Sequence, residues 1–269
     1  MKPQHLLLAV FAAFATLAAV GLEAWRHPAP AALRPDREAA RVEVRRPRED
    51  LILTREANGP WLVARQEDLA DAESVELLLS GLRALEFGPS LGASQDAVAS
   101  GLGPADSLRV RVLDDSGRVL FDGEFGRRVF GRSAYFRRRE GEPVRLAAGL
   151  DPELLTRPAT AWREPRLLPR GCPEGAELIA RGVKRSLSAV AARRLCALRA
   201  ARWGDGNLEG LSGFDRPWLK LRTPDGRGFT VGEKRGLDRL VRVDGREALL
   251  RVNDAAIEAA AADLIGSKP

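Results

Sequence analysis

The chain has 269 residues, 45% hydrophobic and 30% charged, with a formal net charge of +6 from 43 Lys and Arg against 37 Asp and Glu. That balance suits globular folding and leaves disorder to the linker and the last few residues. The only histidines, His5 and His27, flank an apolar leader, and Cys172 and Cys196 are the only cysteines. This excludes a Ser-His-Asp or Cys-His pair, an HExxH helix and a four-ligand Cys/His zinc site in the rest of the chain.

Residues 6–22, LLLAVFAAFATLAAVGL, are uncharged throughout. As a helix they extend about 26 Å, and continuation through Trp25 approaches the ~30 Å hydrocarbon thickness of a bilayer. Insertion is favoured by a few kcal/mol from the Leu, Phe and Val residues, roughly 0.3 to 0.6 kcal/mol each. The competing reading is a cleaved signal peptide, but the run exceeds the usual ~7 to 15 residues of its apolar part. Its best exit, Leu22-Glu23-Ala24, is also a poor small-x-small match. Only Lys2 precedes the run, whereas Arg26, Arg34, Arg37 and Arg41 follow it. Long C-terminal domains translocate largely regardless of such charges, so the remainder is expected outside the cytoplasm. Residues 1–26 are therefore read as an anchor with a short cytoplasmic start, and the Pro/Ala/Arg-rich residues 27–41 as a linker.

In the first region, 42–168, short strands at 42–44, 51–54 and 61–64 precede a helix with Val75, Leu78, Leu79, Leu82 and Leu85 on one face, for which Asp71 suits the N-cap. Then come an alternating strand at 108–112, a turn at Asp115-Ser116-Gly117, a return strand at 119–125, a hairpin of 135–139 with 144–146 over Gly141, and a short helix at 152–155. Residues 169–187 read as a connector. The second region, 188–265, repeats the order with a helix at 188–203, a strand at 219–221, a turn at Asp225-Gly226, a strand at 229–231, a hairpin of 240–243 with 248–252 over Asp244-Gly245, and a helix at 254–265. Gly101-Leu102 matches Gly213-Phe214, and Phe125-Gly126 matches Val231-Gly232, at offsets of 112 and 106. Near-constant spacing of this kind is the mark of an internal repeat. The expected fold class is α+β, an N-terminal transmembrane helix followed by two related antiparallel-sheet-plus-helix units.

In their order, Leu51-x-Leu53-x-Arg55, Gly59-Pro60-Trp61-Leu62, the helix at 75–85, Gly101-Leu102, Tyr135-Phe136-Arg137 and Trp162-Arg163-Glu164 resemble the bacterial domain-of-unknown-function family 4340. The resemblance covers 42–168 well and 188–265 loosely, since the second region lacks a Trp-bearing strand before its helix. It implies an inner-membrane envelope protein whose genes often neighbour ABC-type export or gliding-motility transporter components, and it carries no catalytic residues.

The sharpest local feature is an acid-free segment, 178–203, with Arg181, Lys184, Arg185, Arg193, Arg194, Arg199 and Arg202. On a helix from Leu187 with Leu187, Ala191, Leu195 and Leu198 inward, most of the Arg lie on other faces, as on a helix resting against anionic headgroups or as an ordinary solvated face. Arginine supplies 38 of the 43 cations, which suits phosphate or carboxylate recognition, yet its even spread beside Asp and Glu is equally the mark of compositional bias. One Tyr and sparse aromatics argue against nucleic-acid binding. The glycine pairs at 101–104 and 204–207 read as turns, and Asp114-Asp115, Asp205 and Asp225 as turn residues in wet positions. Trp61, Trp162, Trp203 and Trp218 read as plugs between helix and sheet. Cys172 and Cys196 either pair in an oxidising compartment or are separate buried thiols.

The resulting expectation is a single-pass, non-catalytic binding or scaffolding protein held at the membrane through residues 6–25. It needs no cofactor and partners envelope proteins, transporter subunits among them. The alternatives are a carboxylate- and Arg-dependent enzyme on an anionic envelope substrate and a module for anionic lipid or polymer.

Overall fold

The structure, a computed structural model, describes residues 38–57, 59–91, 97–180, 182–204 and 213–265. The expected anchor, linker residues 27–37, Arg181 and Asp205 lie outside the described residues. Among the described residues no helix is long and apolar enough to cross a membrane.

Two antiparallel sheets with a few helices make this an α+β protein. In chain order the first elements are β1 (Arg41–Arg45), β2 (Leu51–Thr54), β3 (Leu62–Val63), β4 (Asp68–Leu69), α1 (Ala72–Arg83), β5 (Glu86–Ser90), β6 (Leu108–Leu113), β7 (Val119–Phe130), β8 (Ser133–Arg137), β9 (Arg145–Ala148) and α2 (Pro152–Thr156). There follow β10 (Glu177–Ala180), β11 (Val183–Ser186), α3 (Ala189–Cys196), β12 (Arg202–Trp203), β13 (Leu219–Arg222), β14 (Gly228–Arg235), β15 (Asp238–Val243), β16 (Leu249–Asn253) and α4 (Asp254–Ile265). Residues 38–50 and 77–156 form one compact unit, and 51–76 with 157–265 form another.

In the first unit the strands lie in the order β1-β6-β7-β8-β9-β5. Alternation along β1 and β6 buries Val42, Val44, Val110 and Val112 and leaves the intervening charged residues on the opposite face. The core is aromatic: Phe136 lies 4.9 Å from Phe87, 5.1 Å from Phe125 and 6.2 Å from Phe121, centroid to centroid. A Cβ on Gly123 would meet the Phe136 ring at 2.4 Å, so glycine in β7 is what lets that ring lie flat on its neighbour strand. Each fully buried Phe contributes about 1.5–3 kcal/mol of transfer free energy. Leu78, Leu79 and Leu82 from the later turns of α1 complete this core.

The second unit orders its large sheet β11-β10-β13-β14-β15-β16-β12, and the strands β2, β3 and β4 form an antiparallel meander. Ala192 and Leu195 of α3 and Ile257 and Ala261 of α4 pack with Leu219, Leu221, Phe229 and Val231 of the sheet, so both helices cover one face. A disulfide joins Cys172 to Cys196 at the end of α3, with Cα atoms 5.7 Å apart.

Setting β11 aside, β10-β13-β14-β15-β16-β12 has the connectivity of β1-β6-β7-β8-β9-β5. The irregularities coincide too, with a register shift in β7 between Phe125 and Arg128 and one in β14 between Val231 and Lys234. Gly101, with φ of +70°, sits against the Arg127 backbone within the first shift; Gly213, with φ of +66°, sits against Glu233 within the second.

Four expectations change. The connector 169–187 contributes β10 and β11, and β5 has no counterpart in the expected elements. The helix expected at 188–203 ends at Cys196, because tertiary hydrogen bonds capture the following backbone: Leu198 O accepts from Leu167 N, and the N–H groups of Ala200 and Ala201 donate to Pro165 and Arg251. After Val63 the chain makes a 3₁₀ turn at Ala64–Gln66, closed by Glu67 in a left-handed conformation, and then a short strand, β4.

Candidate functional site

The described cations of the acid-free segment do not share one helix. Lys184 and Arg185 are on β11, Arg193 and Arg194 on α3, Arg199 on the following bridge and Arg202 on β12, and all six are exposed. The acid the segment lacks is supplied by the neighbouring strand, where Glu177 of β10 pairs with Lys184 at 2.8 Å. Arg193 Nε donates to the Ala189 carbonyl within its own helix. Arg181 lies outside the described residues.

The strongest electrostatic feature is a buried cluster in the second unit around Asp68 of β4. Its carboxylate accepts both Nε and Nη2 of Arg246 at 2.8 Å, Nε of Arg163 at 2.8 Å, and the Trp203 indole N–H at 3.2 Å. Arg163 also lies over the Trp203 ring at 4.9 Å. Burial alone would raise the Asp68 pKa, but hydrogen bonding and charge from Arg246, then Arg163, hold it below the usual carboxylate value. Burial likewise pushes the Arg163 guanidinium down, with Asp68 acting against it. Arg246 further donates to the carbonyls of Glu164 and Arg166. Buried Glu164 takes the Arg166 fork at 2.8 and 3.0 Å, and this hydrogen bonding raises the Arg166 pKa. Each acid is therefore matched to guanidinium groups in fixed geometry, which is the chemistry of a clamp between distant segments.

A recess of about 200 Å³ lies on the polar face of the first sheet, lined by Glu43 and Arg45 of β1, Arg109 and Arg111 of β6, and Asp122 of β7. Its two carboxylates are engaged: Asp122 holds Arg109 through two bonds of 2.9 Å, and Glu43 accepts from Arg41 at 2.7 Å. That hydrogen bonding raises the Arg109 pKa. Arg111 sits across from Glu43 and Asp122 in register, yet both acids turn to other arginines, and its buried Nε has no hydrogen-bond partner among the described residues. Among the described residues, the recess thus presents Arg45 and Arg111 without a paired acid.

Asp114 and Asp225 serve turns. Asp114 accepts from the Ser116 and Arg118 backbones and the Ser116 hydroxyl; it is buried, a correction to the expected wet tip, because these three donors satisfy it without water. Asp225 accepts from Thr223 and Arg227 in the equivalent turn. Trp162 is a full core plug and Trp61 is buried, whereas Trp203 and Trp218 are half-buried, Trp203 under Arg163 and Trp218 under Arg239. Among the described residues no three His, Cys, Asp or Glu side chains converge as a metal site would require.

The alternation in RVEVR and LRVRVL marks an outer charged face on each strand, but only the β1–β6 pairing makes it one recess. Asp68 and Arg246 are 178 positions apart, with no local signal linking them. No family model, curated protein or solved structure matches this chain.

Proposed function

We propose that the chain is a single-pass envelope protein of the bacterial inner membrane, tethered by residues 6–25. Its two units are copies of one ancestral α+β module, as in domain-of-unknown-function family 4340, and they serve outside the cytoplasm as a binding or scaffolding component for envelope proteins, ABC-type transporter subunits among them. The observation that carries the reading is the Cys172–Cys196 disulfide in a chain that opens with an apolar leader, since such bonds persist in oxidising compartments and are rare in the cytosol. The shared connectivity, the matching register shifts and the left-handed glycines at 101 and 213 support kinship of the units. The engagement of buried Asp68 and Glu164 by arginines supports a structural role for these acids. The test is retention of the full chain in membranes after alkaline carbonate washing, a C-terminal reporter active only outside the cytoplasm, and crosslinking in mild detergent. Release by carbonate, or a cytosolic reporter signal, would end this reading.

The recess favours a second reading, recognition of a carboxylate or phosphate group by Arg45 and Arg111. Titration calorimetry with inorganic phosphate, comparing wild type with Arg111→Met, tests it; equal heats from both would exclude it.

A further inference from the structure

The two most exposed large hydrophobic side chains among the described residues stand on matching hairpins. Phe130 is 84% exposed beside the turn between β7 and β8, and Leu237 is 80% exposed in the turn between β14 and β15. The surroundings differ. In the first hairpin the six consecutive residues Arg127, Arg128, Val129, Phe130, Gly131 and Arg132 are all exposed. Arg128 braces the tip, donating to the Gly131 carbonyl at 2.7 Å and pairing with Glu153. Arg127 and Arg132 have no ion pair among the described residues. Val98, 65% exposed, belongs to the turn whose Ser100 carbonyl receives the Arg127 N–H, so it adds a third apolar side chain on this side of the unit. At the second tip, by contrast, Lys234 and Arg239 share Asp254, and Arg235 pairs with Glu233.

An exposed Phe-Val pair collared by uncommitted arginines, on a rigid strand end closed by a two-residue turn, matches the chemistry of an anionic bilayer interface. The ring and the valine enter the headgroup boundary while guanidinium groups meet lipid phosphates. A soluble phosphate would leave Phe130 without apolar cover, and an apolar protein groove would leave Arg127 and Arg132 unmatched. Residues 23–37 between the leader and the described chain reach at most about 50 Å, which keeps the folded part beside a membrane if the leader is a tether. We propose that the β7–β8 tip docks onto anionic lipid through Val129 and Phe130, with Arg127 and Arg132 supplying the attraction. This rests on the tether only for proximity; the surface itself is a property of the first unit.

The experiment reconstitutes the full chain carrying Phe130→Trp into vesicles of brominated phosphatidylcholine, with or without phosphatidylglycerol, and reads quenching above that of the unsubstituted chain. A carbonate wash of the same vesicles scores the tether separately. The expected result is strong quenching with phosphatidylglycerol and little without, while the Leu237→Trp chain, whose indole stands at the neutralised tip, stays at background. Each of Arg127→Glu and Arg132→Glu lowers the docking equilibrium by about fivefold or more, on the order of the loss of one cation near an anionic surface. Quenching on a chain that carbonate removes keeps the tip and discards the tether. A carbonate-resistant Phe130→Trp chain whose introduced indole stays unquenched in anionic vesicles overturns the tip and leaves the tether standing. Shielding of that indole only in native membranes would assign the tip to a protein and overturn the proposal, as would equal quenching in the Leu237→Trp chain.

Discussion

The two units share one strand order but hold it together by different means. The first relies on a stack of phenylalanines, Phe87, Phe121, Phe125 and Phe136, in a core made by a meander and the later turns of α1. The second has one buried Phe, Phe229, in its core cluster and adds two long-range fastenings, the Asp68–Arg246–Arg163 cluster and the Cys172–Cys196 disulfide. The lesson is that one connectivity can be stabilised by dispersion and apolar burial in one unit and by charge and covalent closure in the other. Apolar burial tolerates substitution of similar volume, whereas a buried ion cluster is intolerant of losing any one member.

The largest effects are expected where each unit is most committed. Asp68→Asn strands two buried guanidinium groups and should cost about 3–5 kcal/mol. Phe136→Ala should cost a similar amount in the first unit, about 3–5 kcal/mol, by emptying the centre of the ring stack. Urea unfolding of both variants checks the pair; a loss below about 1 kcal/mol for Asp68→Asn would mean that the ion cluster is not what holds the second unit. Next, opening the disulfide by Cys172→Ala with Cys196→Ala should remove about 3 kcal/mol, and the loss should appear in hydrogen exchange of α3 while β6 and β7 keep their protection.

The glycines sharpen the comparison further. Gly101→Ala combines a left-handed backbone with a Cβ 2.7 Å from the Arg127 nitrogen, so about 2–3 kcal/mol is expected. Gly213→Ala meets Glu233 at 3.0 Å, room enough for a smaller loss of about 1–2 kcal/mol. Thermal melts that reverse this ranking would show that the two approaches are not equivalent.

The acid response is the subtlest. Burial opposes ionisation of Asp68 and of Asp254, but hydrogen bonds and charge from their basic partners hold both below the ordinary value. A depressed folded pKa stabilises the protein fully above the unfolded value of about 4, and the contribution is lost as pH falls through the folded value. Trp203 fluorescence should therefore report loosening of the second unit below about pH 4, and Asp68→Asn should weaken that transition and leave the part that Asp254 contributes.

Much of the fold was legible locally. Period-two alternation located β6, and the i, i+3, i+4 stripe located α1, because each pattern is written by which face of an element is buried. The Ala-rich run at Cys196 to Trp203 misled, since helix propensity there is worth tenths of a kcal/mol per residue, while the hydrogen bonds that draw Leu198, Ala200 and Ala201 away come from partners far along the chain. Of the candidate site, the cations between Lys184 and Arg202 were legible as a charge run, but their distribution over β11, α3 and β12 was not. The recess was not legible because its five residues come from three strands, nor was the exposed Phe130, because β7 runs on to it past the return strand expected at 119–125.

Composition and spacing alone determined that residues 6–22 are apolar and uncharged, that no histidine follows His27, and that strands and helices mix in an α+β pattern. Only the tertiary structure decided which charges are neutralised, which hairpin tip stays basic, and that Cys172 meets Cys196. Local patterns record what each residue wants from its immediate surroundings; charge pairing and exposure depend on partners that folding delivers from as far as 178 positions away.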